Sequence, residues 1–252
     1  ITAYLAVGSK IAAFALILRL FATGFLPAME EWQIILAILA AATMTVGNLV
    51  ALAQHNIKRL LAYSSIGQVG YLLLGVAAMG LINSGGGVTV LPDASNAVIL
   101  HMVGYGITNL AAFVAVIAFY NATGKEEVSD FAGLADRNPF IAMALTVSLL
   151  SLAGLPIFAG FITKFYLFVA AAKANLLWLA AIAMINSLIS LYYYLNICRQ
   201  MYIESPADPT PMRLSTLTKA VLVILFIGVI GLGVYPNPLV EVISTAASAI
   251  TG

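Results

Sequence analysis

The sequence predicts an all-α integral membrane protein of about seven transmembrane helices, one of them broken, and three observations lead there. Of 252 residues, 62% are hydrophobic and only 8% charged, too few polar groups to cover a surface facing water. The mean hydropathy is +1.04. Apolar runs of about 20 residues, the length that crosses a bilayer, recur from end to end without an alternating strand pattern. Lipid offers backbone groups no partners, so such runs must be helices joined by short loops.

The first run covers 1–21 and carries Lys10 in mid-span and Arg19 near its end. Thr23, Gly24 and Pro27 separate it from the second, 32–53; glycine and proline are the strongest local breakers. The loop "AQHNIKRLLAYSS" leads to the third run, 60–82, with His55 solvated, Asn56 a candidate N-cap, and Lys58 and Arg59 as anchors. Residues 83–96, with three glycines and Pro92, connect to the fourth run, 97–120. The acidic stretch "GKEEVSDFAGLADRNP" reads as a solvated loop. The fifth run, 140–171, holds a Gly-Leu-Pro break; the sixth is 176–202; Pro206 to Pro211 interrupts before the seventh, 217–235.

Seven basic residues, Lys58, Arg59, Lys125, Arg137, Arg199, Arg213 and Lys219, fall in loops on one side, against Arg19 and Lys173 on the other. This bias puts the loops after the second, fourth and sixth runs in the cytoplasm. The net charge of +1 gives no reason to expect nucleic acid. Cys198 is the only cysteine, and His55 and His101 are the only histidines. Disulfides and Cys/His metal sites are excluded on count. The sequence opens at Ile1 within an apolar run, with neither an initiator Met nor a signal-peptide pattern, which predicts a segment of a longer protein.

Lys10 and Lys164 remain as basic residues near mid-span, and no acid falls within any run. A lysine at a helix centre costs roughly 2.5–3.5 kcal/mol on insertion scales. Around Lys164, the residues Leu152, Pro156, Gly160 and Lys164 recur every four positions, a single helix face. Pro156 lacks an N–H and clashes with the Leu152 carbonyl, so the helix should break there and free that carbonyl. In lipid an orphan carbonyl needs protein or water, and the break together with Gly154 and Gly160 therefore predicts a hydrated interior cavity faced by Lys164. The competing reading is a lysine that snorkels to an interface.

Polar stripes at helical spacing mark three further runs: Ser64, Gln68 and Tyr71; His101, Tyr105 and Thr108; Asn186, Ser190 and Tyr193. Such residues commonly tie membrane helices together. Directed at one interior, they also suit a chain of side chains and waters passing protons between lysines. His101 has the side chain that titrates near neutrality, and its place near the outer end of its run suits an interfacial residue equally.

The segments "NIKRLLAYSSIGQVGYLLLG", "SLLSLAGLPIFAGFITKFYLF" and "SLISLYYYLNICRQMY", in this order, resemble the antiporter-like membrane subunits of respiratory complex I, of the N type in NADH:quinone oxidoreductase and the B type in its photosynthetic counterpart. The resemblance implies the second half of a fourteen-helix protein, with its second inverted five-helix repeat at 32–202. It implies that Lys10, in "VGSKIA", links half-channels, that Lys164, in "GFITKFY", is the terminal lysine of a broken helix, and that Lys58 is a basic residue at a cytoplasmic helix start. In the sister L and M subunits the helix matching "HMVGYGITN" carries a second histidine and a lysine, where this sequence has Tyr105 and Asn109; the departure favours the N type. A proton-translocating subunit is implied, in a bacterial inner membrane or an equivalent energy-converting membrane, among further antiporter-like subunits and lipid. No cofactor is expected on this chain itself; NADH or ferredoxin, flavin, iron–sulfur clusters and quinone are expected elsewhere in the complex. A subunit of a multi-component cation/proton antiporter, and a non-conducting structural subunit, are the alternative readings.

Overall fold

Helix follows helix from the first described residue: α1 (Thr2–Leu20) passes through a π-helical turn (Phe21–Phe25) and a 3-10 turn (Leu26–Ala28) into α2 (Met29–Leu52). The computed structural model describes residues 2–83, 87–206 and 210–251; Ile1 of the first expected run, 84–86 and 207–209 of two expected loops, and Gly252 lie outside the described residues. Pro27 occupies the start of the 3-10 turn, where a missing N–H costs little. The Trp32 indole N–H donates to the Phe25 carbonyl and pins the junction.

α3 (Ile57–Ala77) begins behind Asn56, whose side-chain oxygen accepts from the backbone N–H groups of Lys58 and Arg59, as the sequence predicted. α2 and α3 form a tight antiparallel pair. At Gly47 an added Cβ would stand 2.6 Å from the Gly67 nitrogen, so the two backbones meet directly. The third expected run ends five residues early. Gln33 donates to the carbonyls of Ala77 and Gly80, closing α3, and the chain turns into a hairpin of β1 (Gly80–Ile82) and β2 (Val88–Val90) in antiparallel register. This hairpin is the exception to the all-α expectation among the described residues.

α4 (Pro92–Thr123) starts five residues before the expected 97, with Pro92 in its first turn, and ends at left-handed Gly124. The acidic stretch is a folded cap and not a solvated loop. Val128–Phe131 forms a 3-10 turn, α5 (Leu134–Arg137) a single helical turn, and Phe131 stacks on Phe119 with centroids 3.9 Å apart. Lys58 ties this cap to α3. Its amine pairs with Glu126, which also accepts from Asn56, and lies 3.5 Å from the centroid of the Tyr120 ring.

The broken run is α6 (Pro139–Ala153) and α7 (Ala159–Lys173). α8 (Leu177–Tyr202), α9 (Thr216–Val234) and α10 (Asn237–Thr251) follow, the last a helix where a tail is expected from the sequence. Among the described residues five stretches have the length and hydropathy to cross a bilayer: 7–52, Ile57–Ala77, Pro92–Thr123, Leu177–Tyr202 and Thr216–Val234. Seven separate spans are thus not what length returns among the described residues, because the first two expected runs join and α6 and α7, of 15 residues each, are long enough only as a pair.

α4 is central, packing against α1, α3, α6, α7, α9 and α10. Apolar residues gather in two large clusters. One holds Leu60, Phe113, Leu149 and Ile197, towards the acidic cap; the other holds Ala37, Leu72, Val98, Leu167 and Leu179, towards the β-hairpin. Between them every long helix of the body turns polar: Asn48 on α2, Ser64, Ser65 and Gln68 on α3, His101, Thr108 and Asn109 on α4, Ser151 on α6, Thr163 and Lys164 on α7, Asn186 and Ser190 on α8, all buried.

Gly47→Ala should lower thermal stability in detergent by about 1–3 kcal/mol, the usual cost of overpacking, whereas Gly24→Ala, with nothing within 4 Å of the added Cβ, should leave the melting temperature unchanged. The Lys58 amine, then the Asn56 amide, hold the Glu126 carboxyl below its ordinary range. Its contribution to docking the cap is present above the ordinary carboxylate range and is lost as pH falls through the lowered value. Hydrogen exchange at 125–131 should accelerate across that acidic window, and Glu126→Gln should abolish the pH dependence.

Candidate functional site

Lys164 decides where the site lies. It is 3% exposed, and its three ammonium donors meet three acceptors: the Leu152 carbonyl at 2.9 Å, the Ala153 carbonyl at 3.2 Å and the Ser187 hydroxyl at 3.0 Å. None of the four ion pairs among the described residues takes it. Leu152 and Ala153 are the last residues of α6, whose carbonyls have no partner further along the helix. Aligned peptide dipoles leave that end partially negative, so the broken helix itself supplies the counter-charge. The Tyr71 ring adds its face, 4.6 Å from the amine.

The break differs in detail from the expected one. Leu152, Pro156, Gly160 and Lys164 do not share a helix face, because α6 has already ended when Pro156 is reached. Gly154 ends it, with φ +89°, and its N–H bonds to the carbonyls of Leu150 and Ser151. A Cβ on Gly154 would stand 3.1 Å from the Lys164 Cδ, so the glycine also makes room for the lysine. Ile157 holds φ +81°, a strained value for a β-branched residue, and its carbonyl lies against bare Gly233 of α9. Gly160 brings the first turn of α7 onto Ser151, and its N–H donates to the Ser151 hydroxyl.

At the break, where a hydrated interior cavity was expected, two spaces reach Lys164. A pocket of about 10 Å³, room for a single water, is bounded by Gln68, His101, Tyr105, Thr108, Ser151 and Lys164. A groove of about 390 Å³ with mostly apolar walls reaches Lys164 from the flank of α7 and α8. His101 is 2% exposed and its Nδ1 pairs with the Thr163 hydroxyl at 3.0 Å, while its Nε2 finds no partner among the described residues. It is interior, not interfacial, since α4 begins well before it.

Gln68 donates to the Leu152 carbonyl at 3.3 Å and so shares an acceptor with Lys164. Ser64 hydrogen-bonds the Tyr194 hydroxyl. Lys10, half-buried on α1, donates to the Ser65 hydroxyl; Ser65 also bonds Tyr105, whose oxygen accepts from Asn109. Six of the seven expected pathway residues, Lys10, Ser64, Gln68, His101, Tyr105 and Lys164, thus line the polar layer. Lys58 stands apart in the first turn of α3, engaged by Glu126 and Tyr120.

Sequence reading missed Ser187 and Tyr194. They lie seven apart and form their own stripe on α8, one residue out of phase with the chosen one. Also missed was Asn48, which donates to Asn186 at 3.1 Å and accepts from Tyr193 at 2.9 Å. Gly154→Ala should cost about 1–2 kcal/mol for the left-handed backbone alone, read as a lower melting temperature, with a further loss from the crowded Lys164 side chain.

The transmembrane family model described as NADH:quinone oxidoreductase/Mrp antiporter matches residues 1–190. NADH-quinone oxidoreductase subunit N of Dehalococcoides mccartyi is 42% identical over 253 aligned residues, covering 99% of this chain and 51% of that protein. A chain of the Mrp complex from a Dietzia species superimposes with a TM-score of 0.85 at 26% identity, over 96% of this chain and 51% of its own. A chain of respiratory complex I from Thermus thermophilus does so with 0.67 at 29% identity, over 82% and 44%. The chain spans about half the length of the curated relatives it matches. With the family model covering most of its length, the chain belongs to the NADH:quinone oxidoreductase/Mrp antiporter transmembrane family.

Proposed function

We propose that this chain is part of a proton-translocating membrane subunit of a redox-driven NADH:quinone oxidoreductase of the complex I type. One observation carries the reading: Lys164 is buried at the broken end of α6 with its donors matched by carbonyls and a hydroxyl, and by no carboxylate. Such an amine can give up its proton without leaving a buried carboxylate unpaired, and regain it against the same oxygens. Thr163, His101, Gln68, Ser151 and Thr108 supply hydroxyl, imidazole and amide groups around a water-sized pocket beside it. On the opposite flank Lys10 reaches the same layer through Ser65 and Tyr105. Protons would pass between the lysines along these groups, with water filling the gaps as charges shift.

The relatives named subunit N, near 40% identity, support this assignment. NADH or ferredoxin, flavin, iron–sulfur clusters and quinone would then belong to other subunits of the complex, alongside further antiporter-like subunits, in a bacterial inner membrane or an equivalent one. Within the chain, 1–31 would be the linking helix, 32–202 the second five-helix repeat, and 203–252 the final span and its tail. The likeness to the Mrp complex favours, as a second reading, a subunit of a multi-component cation/proton antiporter. Proton flux that needs no electron donor would select that reading. Lys164→Ala in the full-length subunit within its assembled complex should sharply reduce protons translocated per electron, measured in sealed vesicles; an unchanged ratio would overturn the proposal.

A further inference from the structure

The groove between α7 and α8 ends at Lys164. Its volume, about 390 Å³, falls within the roughly 300–1,000 Å³ of small-molecule sites. Phe161, Phe165, Phe168, Met184 and Leu188 supply an apolar wall, and Phe165, Met184 and Leu188 are exposed along it on the outer face of the helix pair. Two lining side chains are polar, and they adjoin: the Lys164 amine and the Ser187 hydroxyl, 3.0 Å apart. No acid lines the groove among the described residues.

Depth narrows the choice of occupant. α7 runs on from Lys164 to Lys173, so the lysine lies about 14 Å from the helix end, near the middle of a hydrocarbon core ~30 Å thick. A phosphate headgroup or any other permanent charge is expensive to bring to that depth. A carboxylic acid is not, because it sheds its charge by holding a proton. The chemistry of the groove asks for the same molecule: an apolar wall suits a hydrocarbon tail, and the amine has two carbonyls and a hydroxyl as acceptors but no carboxylate. Ser187 can yield its place without orphaning a group. Its hydroxyl donates to the Ala153 carbonyl at 2.7 Å, and that carbonyl keeps its 3.2 Å bond from Lys164 when Ser187 turns to a ligand.

We propose that the α7–α8 groove binds a long-chain fatty acid drawn from the bilayer, its tail along Phe161, Phe165 and Leu188 and its carboxylate against Lys164 and Ser187. The inference concerns binding and stands apart from the proton-translocation reading. The acid arrives neutral and meets Lys164 as the free base. Its O–H bond breaks as an N–H bond forms on Nζ; a single proton moves, the resulting pair carries no net charge, and no further reactant is consumed. One carboxylate oxygen then accepts from the ammonium and the other from the Ser187 hydroxyl. Hydrogen bonds between such charged groups are roughly twice as strong as neutral ones, so the acid is held more tightly than an ester of equal length. While it stays, the amine is fixed as ammonium.

The test uses the full-length subunit in its assembled complex in native membranes, with palmitic acid carrying a diazirine on its tail as the probe. After illumination, mass spectrometry should find label on the α7 and α8 peptides that line the groove. The label should be several-fold above that left by the methyl ester of the same probe, which has an equal tail and no proton to give. Leu188→Trp, at an exposed position on the groove wall, should reduce labelling by crowding the tail. Lys164→Met should bring labelling by the acid down to that of the ester. If Lys164→Met fails to assemble, the acid-to-ester ratio decides alone. The proposal is overturned if α7 and α8 take no label, if acid and ester label them equally, or if Lys164→Met in an assembled complex leaves the ratio unchanged. Proton yield in Lys164→Ala tests the other reading, so either claim can fail without the other.

Discussion

A helix that stops in the middle of the protein is the constraint on which the interior depends. Two carbonyls at the end of α6, Leu152 and Ala153, are deprived of intrahelical partners by left-handed Gly154. In a water-poor interior each would be expensive to leave unmatched. Lys164 answers both from the first turns of α7, and Gln68 and Ser187 complete the set. The cost of burying an amine and the cost of breaking a helix offset one another. Removing either member strands the other, so the lysine, the glycine and the break form one physical unit.

The surrounding helices are arranged to serve that unit. α4 lies at the centre, bringing His101, Tyr105 and Thr108 to the same depth as Lys164, and α2, α3 and α8 turn their polar residues to that depth as well. Close backbone contact at Gly47 and Gly67 lets α2 and α3 act as a single wall. Asn48, Asn186 and Tyr193 then tie that wall to α8. The fold holds its polar residues by helix–helix contact and not by loops, which fixes their spacing.

Much of this was legible in the sequence. Long apolar runs gave the helices, the i, i+4, i+7 stripes gave the buried polar faces, and the two lysines stood out because nothing nearby in sequence could neutralise them. Other parts were not legible, for definite physical reasons. The counter-charge of Lys164 is a pair of backbone carbonyls, and carbonyls carry no letter. Pro156 looked like the agent of the break because a helix was assumed to run through it, whereas Gly154 ends the helix two residues earlier. The hairpin at Gly80–Val90 was hidden because its first strand, Gly-Leu-Ile, reads as the end of an apolar run. The acidic stretch looked solvated because its charges outnumber the few buried residues, Val128, Phe131 and Leu134, that fold it back.

The two separate apolar clusters have an electrical consequence. They lie on either side of a polar layer, so a charge is far cheaper to place within that layer than in either cluster. Leakage from face to face would require wetting both clusters at once. A protein layered in this way gathers its exchangeable groups at one depth and keeps apolar packing between them and each face.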